Sequence, residues 1–492
     1  MTMTLPISEI LAPPNVDYVR ILPELVLSFF GMLIMVLDPL IDEAKAAKTV
    51  GTVALVGALA SLAAVYVQAG SPGEAFSHMV RVDNFSIFFH AVILVIVLLS
   101  ILSSFEYMAQ QRIRAGEYYG LILMGAAGMC LMTSAVELVL IFIALEISSI
   151  STYILAGFLR RDPRSSEASL KYFLLGSFAT AFFLYGVALI FGATGSTTFA
   201  QISIALRTGY VPTLAYVAMA MIFVGLGFKV AAAPFHVWTP DVYEGAPSPV
   251  VGLMSTAPKA ATFAVLLRVI FEAQLPGTFW LIWFAAVLSM TLGNLGALKQ
   301  NNIKRLLAYS SIAHAGYLLV AFASLPASGI PSAMFYTAAY AAMNVGAFAI
   351  ISHIGNHGER YTSIDDYAGL GQRAPFLAAI LTVFLLSLIG IPATGGFFAK
   401  FYVFSAVLHS TTPLVGLTII GVINSAIASY YYLRVVVVMY MKEPQGEAIP
   451  LMPLPPAARL VLVLSALFTL YLGILPGSVL AYAQDSVRNL IP

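Results

Sequence analysis

Ionisable side chains lie inside long apolar runs of this 492-residue sequence. Six lie deep in the runs, namely Glu146, Lys229, His236, Lys259, His314 and Lys400, and Lys171 lies nearer the end of one. A charged group at bilayer depth costs about 3 kcal/mol, so each needs a partner, water or a function. Because burial disfavours the charged form of a lysine and a nearby carboxylate favours it, such groups could load and release protons. The residues therefore favour movement of protons or small cations.

The first of two predicted helix breaks follows Lys229. This lysine lies in an otherwise uncharged apolar run that starts near Val211. Pro234 removes a backbone donor and clashes with the preceding turn, so the helix is predicted to end there. His236 stands just beyond the break. Broken helices at membrane depth are tolerated only where they face protein or a wet cavity, so this stretch could line an ion path.

The second predicted break precedes Lys400. It is the stretch Gly390-Ile-Pro-Ala-Thr-Gly-Gly396, which contains Pro392. With Lys259 on a further span, three lysines lie on three separate spans, two of them at breaks. A purely structural role is less favoured for such a set than a role in ion movement.

Each candidate also has a structural interpretation. The spacing along two neighbouring spans allows a pair between Glu146 and Lys171, but Glu167 is a competing helical partner for the lysine. An intramembrane pair can simply hold helices together. His236 could cap the break by hydrogen-bonding a freed carbonyl, and His314 could be a satisfied core histidine.

Other polar residues are weaker candidates. Glu137 is interpreted as a solvated helix start, and Asp241 and Glu244 as lining an outer or loop surface. His353 and His357 have the i, i+4 spacing of metal ligands, but they lack further ligands nearby. No metal site is therefore predicted.

Composition predicts a polytopic helical membrane protein. The chain is 60% hydrophobic and 10% charged, with a mean hydropathy of +0.92. Its net charge of +1 argues against nucleic acid, and its single cysteine, Cys130, cannot form an internal disulfide. The sequence contains no dinucleotide fingerprint, phosphate loop, haem motif or cysteine cluster. We therefore expect no cofactor in this chain and no bond chemistry.

Apolar runs of spanning length predict an all-α fold with about fourteen transmembrane helices. Of the 24 Lys and Arg residues, 14 fall in loops after odd-numbered spans and two in loops after even-numbered spans. Since basic residues accumulate in cytoplasmic loops, the odd loops are predicted to be cytoplasmic and both termini outside.

Weak internal similarity predicts two inverted five-helix repeats, spans 4–8 and 9–13, each with a broken helix. A shift of 164 residues aligns Tyr153 with Tyr317 and Tyr172 with Tyr336, and a shift of 163 aligns Gly227 with Gly390. A shift of five spans reverses membrane orientation. The predicted divisions are 1–115 (spans 1–3), 116–273 (first repeat), 274–442 (second repeat) and 443–492 (span 14).

Several ordered motifs together resemble the antiporter-like membrane subunits of respiratory complex I, the proton-pumping NADH:quinone oxidoreductase. They are Pro23-Glu-Leu, Ala144-Leu-Glu-Ile, Ser166-Glu-Ala-Ser-Leu-Lys-Tyr172, Gly227-Phe-Lys229, Pro234-Phe-His-Val-Trp-Thr-Pro-Asp-Val-Tyr243, Lys304-Arg-Leu-Leu-Ala-Tyr-Ser-Ser-Ile-Ala-His-Ala-Gly-Tyr317 and Phe397-Phe-Ala-Lys-Phe401. Within this family the chain is most similar to the N type (subunit 2). Two features resemble the N type in particular: the short stretch after span 14, and Lys400 in the second break.

This resemblance implies roles for the candidates. Glu146 and Lys171 would be a charge-coupling pair and Lys229 the central proton carrier. Lys259 and His314 would continue the polar axis, and Lys400 would serve the exit half.

The resemblance also implies partners and a location. NADH, FMN, iron–sulfur clusters and quinone would be handled by partner subunits of the complex, in a bacterial inner (plasma) membrane. Two alternatives stay open: a subunit of a multisubunit sodium/proton antiporter, which shares the core, and a scaffold whose charges only hold helices together.

Overall fold

The computed structural model describes residues 16–111, 113–208, 212–324, 326–355, 359–410, 414–443 and 452–487, and this part is almost entirely helical. The α-helices are α1 (Leu22–Leu37), α2 (Glu43–Ala69), α3 (Asn84–Gln111), α4 (Gly116–Ser134), α5 (Leu138–Ala156), α6 (Pro163–Thr194), α7 (Phe199–Arg207), α8 (Thr213–Val230), α9 (Thr239–Gly245), α10 (Ser248–Met254), α11 (Ala257–Phe271), α12 (Thr278–Leu298), α13 (Ile303–Ala321), α14 (Pro326–Gly355), α15 (Leu370–Arg373), α16 (Pro375–Ile389), α17 (Gly395–Leu408), α18 (Val415–Met441), α19 (Pro456–Ile474) and α20 (Gly477–Val487). Short 3-10 helices cover Tyr18–Ile21, Asp38–Leu40 and Ile364–Tyr367, and a small antiparallel hairpin joins β1 (Gly73–Ala75) to β2 (Val80–Val82).

The prediction of an all-α polytopic fold is confirmed. Eleven of the described helical segments are long and apolar enough to cross a membrane, by length and composition. Each of the fourteen predicted spans coincides with one or two of the described helices. The three outside the eleven lie on α4, on α13 and on the pair α16 and α17, whose two pieces are each shorter than a full span.

Two segments form the centre of the protein. The spanning stretches of Ser248–Phe271 and Pro326–Gly355 are wholly buried inside the chain, whereas the other spanning segments bury a third to two thirds of theirs. A helix that is apolar on all sides and buried on all sides packs in the interior of a bundle. These central helices carry Lys259 and Tyr340, whose ring centroid lies 5.9 Å from the Lys259 ammonium.

Both predicted helix breaks are present. Helix α8 ends at Val230, Ala231 adopts a left-handed φ of 61°, and the helix resumes with α9 at Thr239. Helix α16 ends at Ile389, and Gly390 adopts a φ of 94° before α17 begins. Glycine populates this region at no steric cost, which accounts for the residue type at Gly390.

A third interruption was not predicted. It separates α10 from α11 at Ser255 and Thr256, three residues before Lys259. Thr256 has a non-helical φ of −126°, and Pro258 occupies the first turn of α11, a position where the missing backbone donor costs nothing. The signal was therefore present in the sequence as Ala257-Pro258.

The two halves pack in the same way. In the first half α4 packs on α5, α6 on α8 and α4 on α11; in the second, α12 packs on α13, α14 on α16 and α12 on α18. These pairs correspond span for span under a shift of five spans. Helices α1, α2 and α3 pack together and, through α1 and α3, on α4.

Candidate functional site

Lys229 lies in the last turn of α8, directly before the first break. Its residue is only 4% exposed, and its ammonium donates to Ser149 Oγ at 3.0 Å, Thr152 Oγ1 at 3.3 Å and Tyr172 OH at 3.2 Å. The Nζ atom also lies 5.4 Å from the ring centroid of Tyr153. Among the described residues no carboxylate lies within 4.0 Å of this ammonium, so its charge is solvated by hydroxyls and aromatic faces alone.

The direct pair between Glu146 and Lys171 is absent, and the prediction that allowed it is corrected. Lys171 Nζ lies 2.7 Å from Glu167 Oε1 and 2.7 Å from Asp241 Oδ2. Glu167 is one helical turn away on the same helix. Helix α9 brings Asp241 against the start of α6, so both acids contact the lysine. Glu146 keeps a buried oxygen, Oε1, with no hydrogen-bond partner among the described residues.

Asp241 joins this lysine to a wider ion network. Its Oδ1 accepts from Arg305 at 2.7 Å, and Arg305 also contacts Glu244 at 2.9 Å. A cavity of about 200 Å³ opens here, lined by Arg164, Glu167, Lys171, Asp241 and Glu244 among others. The interpretation of Asp241 and Glu244 as lining a surface is accurate in position, but it missed their contacts with Lys171 and Arg305.

Lys259 occupies a second buried site, on α11 beyond the third interruption. Its ammonium donates to the carbonyl of Ser311 at 2.8 Å and to Ser311 Oγ at 2.6 Å. Tyr340 OH donates to the same Oγ at 2.8 Å, and Tyr243 OH lies 3.4 Å from it. Hydroxyl and carbonyl oxygens are again the contacts of the lysine.

His314 lies one turn of α13 beyond Ser311. Its Nδ1 is 2.7 Å from Tyr336 OH, and its Nε2 is 3.5 Å from Tyr432 OH. A cavity of about 10 Å³, which is about the space one water needs, is lined by Lys259, His314, Tyr340 and neighbouring side chains. The histidine is therefore hydrogen-bonded, as its structural interpretation requires, and it also borders the lysine site.

Lys400 lies in the first half of α17, just after the second break. Its ammonium donates to the carbonyls of Leu388 at 3.1 Å and Ile389 at 2.8 Å, and to Ser425 Oγ at 2.8 Å. The two carbonyls belong to the end of α16, where the break leaves them without an intrahelical donor. The lysine therefore caps the broken helix and lies 4.6 Å from the ring centroid of Tyr317.

Tyrosines related by the predicted repeat lie next to the buried bases Lys229, His314 and Lys400. Tyr153 and Tyr172 flank Lys229 in the first half. Their counterparts at a shift of 164 residues contact the second-half groups: Tyr317 lies under Lys400, and Tyr336 hydrogen-bonds His314. Equivalent tyrosine positions thus contact a buried basic group in each half.

The secondary candidates lie on the outer surface of the chain. Pro234 and Pro392 are exposed, and His236 is partly exposed, with its buried Nδ1 lacking a hydrogen-bond partner among the described residues. The carbonyl of Phe228 accepts from the Ala231 backbone and from Trp238 Nε1, each at 3.0 Å, so His236 does not cap it.

The remaining polar candidates have other roles in the structure. Glu137 caps α5 by accepting from the backbone of Val139 and Leu140, and it is buried, so the interpretation as a solvated helix start was right about the helix start only. His357 lies outside the described residues, and among the described ones no group of three potential metal ligands occurs.

Sequence reasoning missed the hydroxyls and the buried ion pairs. Ser311 lies inside a quoted motif, one turn from His314, and Ser149 lies one turn from Glu146, so proximity to a titratable residue was the available signal. Lys304 pairs with Glu359, which also accepts from Ser248 Oγ at 2.9 Å. Glu359 is distant in sequence from all of these partners, so no local pattern indicated the pair.

Taken together, the fold and its row of buried bases define a polytopic membrane protein of the antiporter-like class. The family described as "NADH:quinone oxidoreductase/Mrp antiporter, TM" matches residues 135–428. The chain is 61% identical to NADH-quinone oxidoreductase subunit N 2 of Koribacter versatilis (strain Ellin345), over 98% of this chain and 99% of that one. It belongs to the subunit N family of NADH-quinone oxidoreductases.

Solved structures agree with this assignment. A chain of respiratory complex I from Thermus thermophilus with bound Aureothin matches with a TM-score of 0.80 at 36% identity, covering 93% of this chain and 98% of that one. A chain of the Mrp complex from Dietzia sp. DQ12-45-1b matches with a TM-score of 0.83 at 21% identity, covering 96% and 98%. The second match shows a common fold alone.

Proposed function

We propose that this chain translocates protons across a membrane as an antiporter-like subunit of NADH-quinone oxidoreductase, and that its row of buried bases carries them. The observation that carries the proposal is the environment of Lys229. Its buried ammonium has hydroxyl partners and no carboxylate within 4.0 Å among the described residues. A buried ammonium without a carboxylate partner is costly in free energy, so a functional role is favoured over a structural ion pair.

The residues of the row take successive roles. Glu146 and Lys171 control Lys229 electrostatically, Lys259 and His314 extend the path, and Lys400 serves the exit half. The structure supports an amended form of this control, since Asp241 and Glu167 hold Lys171 away from Glu146. Release of Lys171 from these acids would let it approach Glu146, whose buried oxygen has no hydrogen-bond partner among the described residues. The repeats, 116–273 and 274–442, each contribute one half of the path.

Redox chemistry belongs to partner subunits in this proposal. NADH, FMN, iron–sulfur clusters and quinone are bound elsewhere in the complex, and this chain contributes proton movement alone. Partner subunits would also cover the exposed surfaces of both helix breaks.

The proposed location is a bacterial inner membrane with both termini outside. The bias of basic residues toward odd-numbered loops supports this orientation. It places the Lys171 cavity on the cytoplasmic side, from which protons would be taken up.

The experiment is proton pumping by the assembled complex, reconstituted in vesicles, with Lys229→Ala in this chain. We expect pumping to be lost while the complex still assembles. Lys299→Ala, which removes an exposed lysine at the end of α12, is the matched control and should pump normally. Normal pumping by an intact complex with Lys229→Ala would contradict the role of this lysine. A sodium gradient that drives vesicle acidification without NADH would instead support the antiporter alternative.

A further inference from the structure

A second buried acid and base lie in the N-terminal helices, away from the row described above. Glu24 occupies the first turn of α1, and 8% of its side chain is exposed. His90 lies in α3, and its side chain is wholly buried. The His90 Nε2 and Glu24 Oε1 atoms are 3.6 Å apart. Neither residue has a role in the proposed translocation path.

Both ring nitrogens of His90 face oxygen atoms that can only accept. Nδ1 is 3.0 Å from Gln68 Oε1, and Nε2 is 2.9 Å from the carbonyl oxygen of Cys130. The Gln68 amide is oriented by its other end, because its Nε2 donates to the Arg20 carbonyl at 2.6 Å. A carbonyl oxygen has no hydrogen to give, so each ring nitrogen must carry a proton to make these bonds. A histidine with two N–H groups is an imidazolium cation.

A buried cation needs a compensating charge. Glu24 is the acid at hand, and neither of its carboxyl oxygens has a hydrogen-bond partner among the described residues. The other charged groups that act on His90 are Asp83 and Arg268, which neutralise each other because Arg268 Nη2 lies 2.9 Å from both Asp83 oxygens. The Cys130 thiol is also buried nearby. Glu24 is therefore the counter-charge of His90.

We propose that Glu24 and His90 form a proton-binding site. In one state the proton is bound to His90 Nε2 and Glu24 is ionised. In the other the N–H bond breaks, an O–H bond forms at Glu24 Oε1, and both groups are neutral. The net charge of the pair is the same in both states, so the proton can move across the 3.6 Å gap without charging the interior. The Cys130 carbonyl favours the first state.

The site lies at the end of the bundle opposite the Lys171 cavity. Cys130 is near the end of α4, and α5 leads from there to the other side, where α6 begins and carries Lys171. Arg268, at the end of the helix that carries Lys259, donates to the Thr133 carbonyl at 3.1 Å, one turn of α4 from Cys130. A proton held here is thus close to the end of the helix that carries Lys259.

The test is nitrogen NMR of the full-length chain in lipid nanodiscs, with ¹⁵N-labelled histidine and ¹³C-carbonyl cysteine. Because the chain has a single cysteine, the ring nitrogen close to the labelled carbonyl is His90 Nε2 by itself. We expect both ring nitrogens of His90 to be protonated at neutral pH. A single protonated nitrogen would show that His90 is not an imidazolium in the resting pair, and it would overturn the proposal without the need for a variant.

The Glu24→Gln variant tests the counter-charge. Loss of the carboxylate should convert His90 to the neutral form, with loss of one of its two N–H signals. Glu117→Gln removes an exposed carboxylate that contacts Arg160, and it should leave both signals unchanged. An unchanged imidazolium in Glu24→Gln would show that Glu24 does not hold the charge. These measurements do not involve Lys229, so their outcome is independent of the outcome for the proposed translocation.

Discussion

The lysines within or beside the spans fall into two groups according to the atoms that contact them. Lys229, Lys259 and Lys400 contact hydroxyl or carbonyl oxygens, whereas Lys171 and Lys304 contact carboxylates. A carboxylate at 4 Å would stabilise an ammonium by about 4 kcal/mol at an effective dielectric constant of 20. The first group lacks that stabilisation, and its members are the lysines to which the proposed path assigns proton transfer.

The variant Glu146→Gln tests the electrostatic control of Lys229. Glu146 lies one turn of α5 from Ser149, which accepts from Lys229. Removing the negative charge should slow NADH-driven pumping about tenfold, equivalent to about 1.4 kcal/mol. Glu146→Asp keeps the charge and should retain part of the activity. Wild-type pumping by Glu146→Gln would remove the glutamate from the mechanism.

Much of this chemistry could be predicted at the residue scale, because a charge in an apolar run stands out. The hydrogen-bond and ion-pair partners of these residues could not be predicted. Spacing along the sequence allowed Lys171 to pair with Glu146. The packing of α9 against α6 brings Asp241 to the lysine instead, and the sequence does not show that packing. Hydroxyls such as Ser311 are too common to be singled out without a structure.

At the scale of elements, the helix breaks leave backbone carbonyls free to accept hydrogen bonds from side chains. The end of α16 presents the carbonyls of Leu388 and Ile389 to Lys400, and a continuous helix would have bonded them internally. The proline and glycine residues at both breaks made them predictable. The third interruption has a weaker signal, a single Ala-Pro step within a long apolar run, and it was missed.

Gly390→Ala tests the geometry of the second break. At a φ of 94° an added Cβ is strained and would approach Lys400 Cδ at 3.2 Å. We expect the thermal unfolding of the complex to shift downward, with a cost of about 1–3 kcal/mol. Gly416→Ala is the matched control, because nothing lies within 4 Å of its added Cβ. Equal stability of the two variants would contradict the strained geometry.

At the scale of the whole molecule, charged contacts fasten the N-terminal helices to the core. Arg268 Nη2 lies 2.9 Å from Asp83 Oδ1, and its Nη1 lies 2.6 Å from Glu272, in a fully buried position. Arg81, on β2, also contacts Glu272 at 2.7 Å. These pairs join the start of α3 to the end of α11, and so connect the N-terminal bundle to the helix of Lys259.

The variant Arg268→Gln should loosen this connection. Removing one partner of a buried pair leaves charges uncompensated, at a cost of about 3–5 kcal/mol. We expect less assembled complex and a lower unfolding temperature. Arg160→Gln breaks a pair whose side chains are 78% and 66% exposed and should change stability by less than about 1 kcal/mol. If both variants are equally stable, the buried network does not hold the two parts together.

The central claim is that Lys229 must change its charge during turnover, and Lys229→Arg tests it most directly. An arginine keeps a positive charge at this position and, unlike lysine, does not release its proton in proteins. Pumping per NADH oxidised should be measured in reconstituted complex, with Lys299→Arg as the control. The account predicts that Lys229→Arg assembles but pumps as poorly as Lys229→Ala. Pumping at the wild-type level with arginine at this position would contradict it.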